Sequence, residues 1–374
     1  MTARVRTVEA RTVRVPLPAP TTFATRQVTN RYYTVVRVGT DDGAHGTGFC
    51  YGGSLAGGLP TAAVRDALAP VVLGADPHCT AGLWREMYQQ TLLHGRTGSV
   101  MRALSAVDVA LWDRNARAAG LPLWRYLGAV HDDTVPAYAS GGYYLDGKDP
   151  AELAEEMRGY VAAGFRAVKM KIGRLDPAAD AERLAAVREA VGPDVLVMLD
   201  ANNAWADLPS ALRAMRLWEP HDPYWIEEPF SPDDVTNHAR LARLTAVPVA
   251  TGEIEAGRWR FRDLLEADAA MILQTDALVA GGITEFQRVA GTAASFGVTV
   301  SPHWFHDLHV HLVAATENAR FVEFFPDPRV LNFRLLLDRQ VEVREGRLVL
   351  PDGPGLGFEL DAGAVDRYAV DDWA

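Results

Sequence analysis

Lys169 and Lys171 stand two residues apart in the run AVKMKIG, and Lys148 is the only other lysine among 37 basic residues. In an extended segment, residues two apart share a face. Two ammonium groups side by side repel, which lowers one pKa toward that of a usable base. The plainer alternative is an exposed pair on a strand edge, but the interleaved Val168, Met170 and Ile172 are apolar. Three acids follow at the ends of the next three apolar runs: Asp200 in VLVMLDAN, Glu227 in YWIEEPF and Glu253 in VPVATGE. On neighbouring strands these carboxylates would converge, and three buried like charges need a cation between them. An all-oxygen donor set without Cys or His points to Mg²⁺ rather than zinc. A single acid at such a place could instead cap a helix. Asp276 lies in MILQTDAL, His303 ends VTVSPHW and Glu323 sits in FVEFF. A carboxylate on one ring nitrogen of His303 would fix its tautomer and raise its pKa, as suits a proton donor or acceptor. The nearby His306, His309 and His311 read as loop and helix surface, with His306 a candidate lid contact.

These residues need elements that bring them together. Eight short apolar runs (VPAYAS, AVKMKIG, VLVMLDAN, YWIEEPF, VPVATGE, MILQTDAL, VTVSPHW and FVEFF) recur at roughly 20 to 30 residue spacing between helical stretches. That rhythm suits βα units closing into a barrel, in which reactive groups cluster at the C-terminal strand ends. An open α/β sheet is the alternative. Upstream, RYYTVVRVGTDDGAHGTGF reads as a hairpin. Ala103, Val107, Ala110 and Leu111 mark one face of a helix that Gly120-Leu121-Pro122 stops. The Pro- and Thr-rich stretch from about Pro16 to Asn30 reads as a long loop able to serve as a lid. After about residue 335 the pattern returns to strand and turn, expected to pack back on the N-terminal unit.

The chain has 374 residues, a net charge of -11, 48% hydrophobic and 23% charged residues, which is ordinary globular composition. An acidic chain with no basic run argues against nucleic acid or an anionic membrane as partner. Cys50 and Cys79 form no CxxC motif and read as free thiols. No signal-peptide core and no apolar stretch of about 18 residues is visible, so a soluble cytoplasmic protein is expected.

Taken together, KxK on the second run, DxN on the third, EEP on the fourth, GE on the fifth, Asp276 on the sixth and His303 on the seventh resemble the enolase superfamily. The likeness is closest to its mandelate racemase subgroup. The spacings agree, with 29 residues from Lys171 to Asp200, 27 from Asp276 to His303 and 20 from His303 to Glu323. The segment SAVDVALWDRNARAAGLPLWRYLG is similar to the last helices of that family's capping domain. The resemblance implies a (β/α)7β modified TIM barrel over residues 129–335. An α+β capping domain would be built from residues 1–128 and a C-terminal tail, 336–374. It implies Mg²⁺ on Asp200, Glu227 and Glu253, holding a substrate carboxylate and stabilising an enediolate. Lys171 would be the base on one face. His303, oriented by Asp276, would serve the other. Lys169 would touch the carboxylate and lower the pKa of Lys171. Glu323 would donate a hydrogen bond to the carboxylate, and Asn202 would contact a substrate hydroxyl. Family members with a lysine on strand six are a poor match, since no lysine lies between Met271 and Phe286. A homo-oligomer acting on a small carboxylate is implied.

Two bases on two faces permit racemisation of a 2-hydroxy acid, or dehydration where a β-hydroxyl is present. Dehydration of an aldonic or aldaric acid is preferred, because the polar pocket candidates suit a polyol. These are Thr21, Thr22, Arg26 and Asn30 in the lid, Tyr143 and Tyr144 after strand one, and Trp304 and His306 after strand seven. A racemase or epimerase is the second reading, and a barrel that only binds is the third.

Overall fold

The computed structural model describes residues 3–373. Its N-terminal part is a three-stranded antiparallel sheet of β1 (Val5–Thr22), β2 (Gln27–Thr40) and β3 (His45–Gly53), in that order. Val13, Val15 and Leu17 are buried while Arg14, Pro16 and Pro18 between them face water, so one face of β1 packs inward. The helix Gly98–Ala118 lies against β3, burying Ala103, Val107, Ala110 and Leu111. Backbone meets backbone there: a Cβ on Gly48 would stand 1.8 Å from the Ala106 carbonyl oxygen.

The stretch read as a lid loop is instead the end of this sheet. β1 and β2 continue as a hairpin arm, with Thr22 paired to Gln27 around the turn Phe23–Arg26. The three prolines are tolerated because β1 is an edge strand and its register breaks between Pro16 and Thr21.

The eight apolar runs form β4 (Thr134–Ser140), β5 (Ala167–Lys171), β6 (Leu196–Asp200), β7 (Pro223–Glu227), β8 (Val249–Thr251), β9 (Ile272–Leu273), β10 (Thr299–Val300) and β11 (Val322–Phe324). They pair in parallel from β4 through β10, and β11 returns to pair with β4. A bridge from Val300 to Ala319 closes the last gap, so the sheet is a barrel and not open. Asp149, Asp176, Asp207 and Asp234 cap the N-termini of the helices that follow β4 to β7. Asp200, Glu227 and Glu253 cap none of these.

The pleat sets the barrel interior. Tyr138, Ala167, Met198, Trp225, Ala250 and Ile272 fill its lower layer. Two residues onward on three of these strands come Lys169, Asp200 and Glu227, with Lys171 one layer higher. Val168, Met170 and Ile172 point outward to the helices.

The tail reaches further than its sequence suggests. β12 (Val343–Arg344) and β13 (Arg347–Val349) form a hairpin, and β13 adds antiparallel to the start of β4. Asn332 already bonds to Tyr33 and the Val15 carbonyl ahead of this hairpin, and beyond it the chain returns to the cap through Arg11 with Asp366 and a bridge from Val13 to Ala369. Among the described residues no helix is long and apolar enough to cross a membrane.

Candidate active site

Strands β5 to β11 bring the reactive residues to one end of the barrel. Oxygens of Asp200, Glu227 and Glu253 lie within 4.8 Å of one another, and all three residues are buried. Lys169 is fully buried among carboxylates, its Nζ 2.7 Å from Glu227 Oε1, 2.7 Å from Glu323 Oε1 and 3.6 Å from Asp200 Oδ2. Lys171 Nζ donates to Asp200 Oδ2 and sits 5.3 Å from the ring centre of Phe23 and 5.2 Å from that of Tyr143. On the other flank, His303 Nδ1 is 3.2 Å from Asp276 Oδ2 and its Nε2 is 3.6 Å from Glu253 Oε1. Asp276 also starts a short helix, its Oδ1 accepting from the Leu278 N–H. Glu323 Oε2 accepts from the Trp304 N–H at 2.8 Å.

Several strand ends hold backbone conformations that side chains other than glycine rarely adopt. Asn202, Asn203, Glu228 and Trp304 have φ of 43°, 64°, 43° and 76°. Such conformations persist where surrounding contacts over-determine them. At Trp304 the contact is the amide aimed at Glu323.

The electrostatics follow from burial and crowding. Burial and Asp200 push the Glu227 carboxyl up to about 8, against the pull of Lys169. Burial raises Asp200 too, but Lys171 and Lys169 more than offset it and hold the group at about 2. For His303, burial lowers the pKa, yet Glu253, the Asp276 hydrogen bond and Glu323 outweigh it and raise it to about 9. Lys171 departs from the sequence expectation. Burial and Lys169 do pull its ammonium down, but Asp200 and Tyr143 prevail, and its pKa is raised. The expectation counted the neighbouring lysine and not the carboxylate facing it.

The acid cluster fits a hard divalent cation such as Mg²⁺. It offers only oxygens, and Glu253 Oε2 is buried without a hydrogen-bond partner. Lys169 and Lys171 take the place of counter-charge on the other two acids.

A cavity of about 390 Å³ opens above the cluster. Lys171, Asn202, Glu253, Asp276, His303, Trp304 and Glu323 reach it from the barrel, with Tyr143 and Arg26 at its side. The hairpin turn closes over it: Phe23 meets Tyr143 edge-on at 5.6 Å, and Thr25 Oγ1 donates to the Asn202 carbonyl. Arg26 is exposed there, stacked on Phe23. Lys169 lies beneath and does not line the cavity. Tyr144 turns away, its hydroxyl donating to the Asp180 carboxylate at 2.9 Å. His306, His309 and His311 are buried, which corrects their reading as surface residues. Their helix, His306–Ala314, is enclosed on every side, between the barrel and the segments around Trp124 and Leu356. His306 packs on Phe324 and Arg334, away from the cavity.

Comparison with known proteins fits this geometry. Residues 5–128 match the "Mandelate racemase / muconate lactonizing enzyme, N-terminal domain" family and residues 152–364 the "Enolase C-terminal domain-like" family. The chain belongs to the enolase superfamily, in its mandelate racemase subgroup. Among superfamily relatives, the 3,6-anhydro-alpha-L-galactonate cycloisomerase of Streptomyces coelicolor is 34% identical over 96% of this chain and 97% of its own. The arabinonate dehydratase of Saccharolobus solfataricus is 36% identical, over 88% of each chain. A crystal structure of L-talarate dehydratase from Polaromonas sp. JS666, complexed with Mg and L-glucarate, superposes with a TM-score of 0.91. It is 34% identical, and the match covers 100% of this chain and 99% of that one.

From the cap, the sequence pointed to Arg26 but not to Arg31, Tyr51, Ser99 and Arg102, which also line the cavity. For Arg31 a signal was present. It shares the buried face of β2 with Tyr33 and Val35, at period two.

Proposed function

We propose that this superfamily member is a Mg²⁺-dependent dehydratase of acid sugars, converting an aldonic or aldaric acid to a 2-keto-3-deoxy acid. One observation carries the reading: Lys171 and His303 flank a triad of converging carboxylates, Lys171 at Asp200 and His303 at Glu253. Asp200, Glu227 and Glu253 would hold the ion. When bound there, a divalent cation supplies positive charge for the substrate carboxylate and takes up the acid charge that otherwise retains the Lys171 proton.

Lys171 Nζ, freed of its proton, removes the α-proton. His303, its Nδ1 held by the Asp276 carboxylate, gives its Nε2 proton to the departing β-hydroxyl, which leaves as water. Asp276 accepts from Nδ1–H and so keeps Nε2 aimed at the cavity. Lys169 and Glu323 hold the charge beneath the substrate, and Asn202 offers its buried, unpartnered Oδ1 to a hydroxyl. The enol product then takes a proton at the β-carbon and becomes the keto acid.

A closely related reading is favoured by the Streptomyces relative. If the β-oxygen belongs to a ring, the same proton removal and C–O cleavage open the ring and release no water. Incubation of the Mg²⁺-loaded enzyme with aldonates, aldarates and anhydro-aldonates, with detection of keto acid, tests both. Exchange of the α-proton with solvent deuterium and no keto acid from any of them would overturn both in favour of racemisation.

A further inference from the structure

The cavity has two electrically different ends. Glu253, Asp276 and Glu323 line its barrel side with Lys171 and His303, whereas Arg26, Arg31 and Arg102 line its cap side. Arg31 is the informative residue. Of the three buried arginines among the described residues, Arg114 pairs with Asp42 and Thr40, and Arg183 pairs with Asp180 and two backbone carbonyls. Arg31 is 2% exposed, yet its Nε and Nη2 have no hydrogen-bond partner. Its neighbours are aromatic faces, with the guanidinium carbon 4.5 Å from the Trp304 ring centre and 5.7 Å from that of Tyr51. A ring face attracts a cation but does not replace the counter-charge that a buried guanidinium requires. Nε and Nη2 lie along one edge of the group, the edge that takes both oxygens of a carboxylate. β2 fixes this position through the pairing of Arg31 with Val15.

We infer that Arg31, with Arg102 also close to the Tyr51 ring, binds a second carboxylate at the far end of the substrate. The substrate class is then an aldaric acid. An aldonic acid ends in a neutral hydroxymethyl group and leaves the guanidinium without a counter-charge. The inference rests on the acid-sugar reading above and narrows it.

Lys171→Ala loaded with Mg²⁺ permits binding to be measured without turnover. The probes are a six-carbon aldarate and the aldonate of the same configuration, titrated by calorimetry. The aldarate is expected to bind about 100-fold more tightly, the range of a hydrogen-bonded charge pair. Adding Arg31→Gln should weaken the aldarate about 100-fold and the aldonate less than about 3-fold, erasing the preference. Arg31→Lys keeps the charge without the two-pronged edge and should retain about a tenth of the aldarate affinity. Equal affinities in the parent, equal losses for both probes in Arg31→Gln, or no aldarate binding would each overturn the assignment. If Arg31→Gln does not fold, the parent comparison and Arg31→Lys still decide. Selective aldarate binding without keto acid from the wild type would refute the dehydratase and leave the Arg31 site standing. Keto acid from aldonates alone would do the reverse.

Discussion

His311 gives the protein a defined sensitivity to acid. Its Nδ1 accepts from the Trp124 N–H and its Nε2 donates to the Leu356 carbonyl, so the neutral ring with hydrogen on Nε2 satisfies both contacts. Burial, opposed only by that carbonyl, pushes its pKa from 6.5 down to about 4. The folded state therefore resists a proton that the unfolded chain accepts below pH 6.5. Stability from this group is fully present above 6.5 and is lost as the pH falls toward 4. From pH 8 to pH 5 the loss is about 2 kcal/mol, since the unfolded imidazole is then almost wholly protonated and the folded one almost wholly neutral. His311→Gln removes the titration. The variant should be less stable than the wild type at pH 8 by about 1 to 2 kcal/mol for a disturbed hydrogen bond. That deficit should shrink or vanish at pH 5. Urea unfolding of both proteins at the two pH values measures it. A wild-type-minus-variant difference that is the same at pH 5 and pH 8 would refute the reasoning.

Other residues yield sharper tests of the chemistry. Glu227→Gln removes a charge from the acid cluster and should weaken Mg²⁺ binding about 10- to 100-fold by calorimetry; unchanged affinity would remove Glu227 from the ligand set. Lys171→Ala and His303→Asn should each abolish racemisation and stop dehydration, while the group that remains still exchanges the α-proton with deuterium. Full turnover in either variant would refute its role. Asp276→Asn should lower kcat on the order of 10²- to 10⁴-fold with little change in KM, because it misdirects the His303 proton and leaves the cavity intact. A loss confined to KM would show that Asp276 serves binding.

The barrel was legible because each strand end carries a residue that packing alone does not select. Lys169, Asp200 and Glu227 sit where an apolar side chain would otherwise continue the inward layer begun by Ala167, Met198 and Trp225, and Glu253 follows just past the end of β8. Tertiary context hid the rest. His306, His309 and His311 looked like surface residues because polar side chains at those spacings face water on most helices. Here His306–Ala314 is covered on all sides, and backbone groups from distant segments pair with both ring nitrogens of His311 and with Nε2 of His309. The hairpin arm looked like a loop because its prolines are strand breakers, and only the edge position of β1 makes them harmless.

Around the cavity, lysine and arginine divide along the boundary between barrel and cap, with Lys171 on the barrel side and Arg26, Arg31 and Arg102 on the cap side. Three of 37 basic residues are lysines, which leaves 34 arginines. A guanidinium cannot lose its proton near neutral pH, so arginine could not act as the base at position 171. Nor could it easily replace Lys169, whose compact ammonium is enclosed by Asp200, Glu227 and Glu323 with no exposed surface. At position 31 the requirement reverses. The permanent charge and flat fork of arginine suit a carboxylate that must be held and never deprotonated. On this view the barrel supplies groups that exchange protons and the cap supplies groups that cannot. A change of substrate is then open to substitution in β2 and the helix Gly98–Ala118 without altering the chemistry at the strand ends.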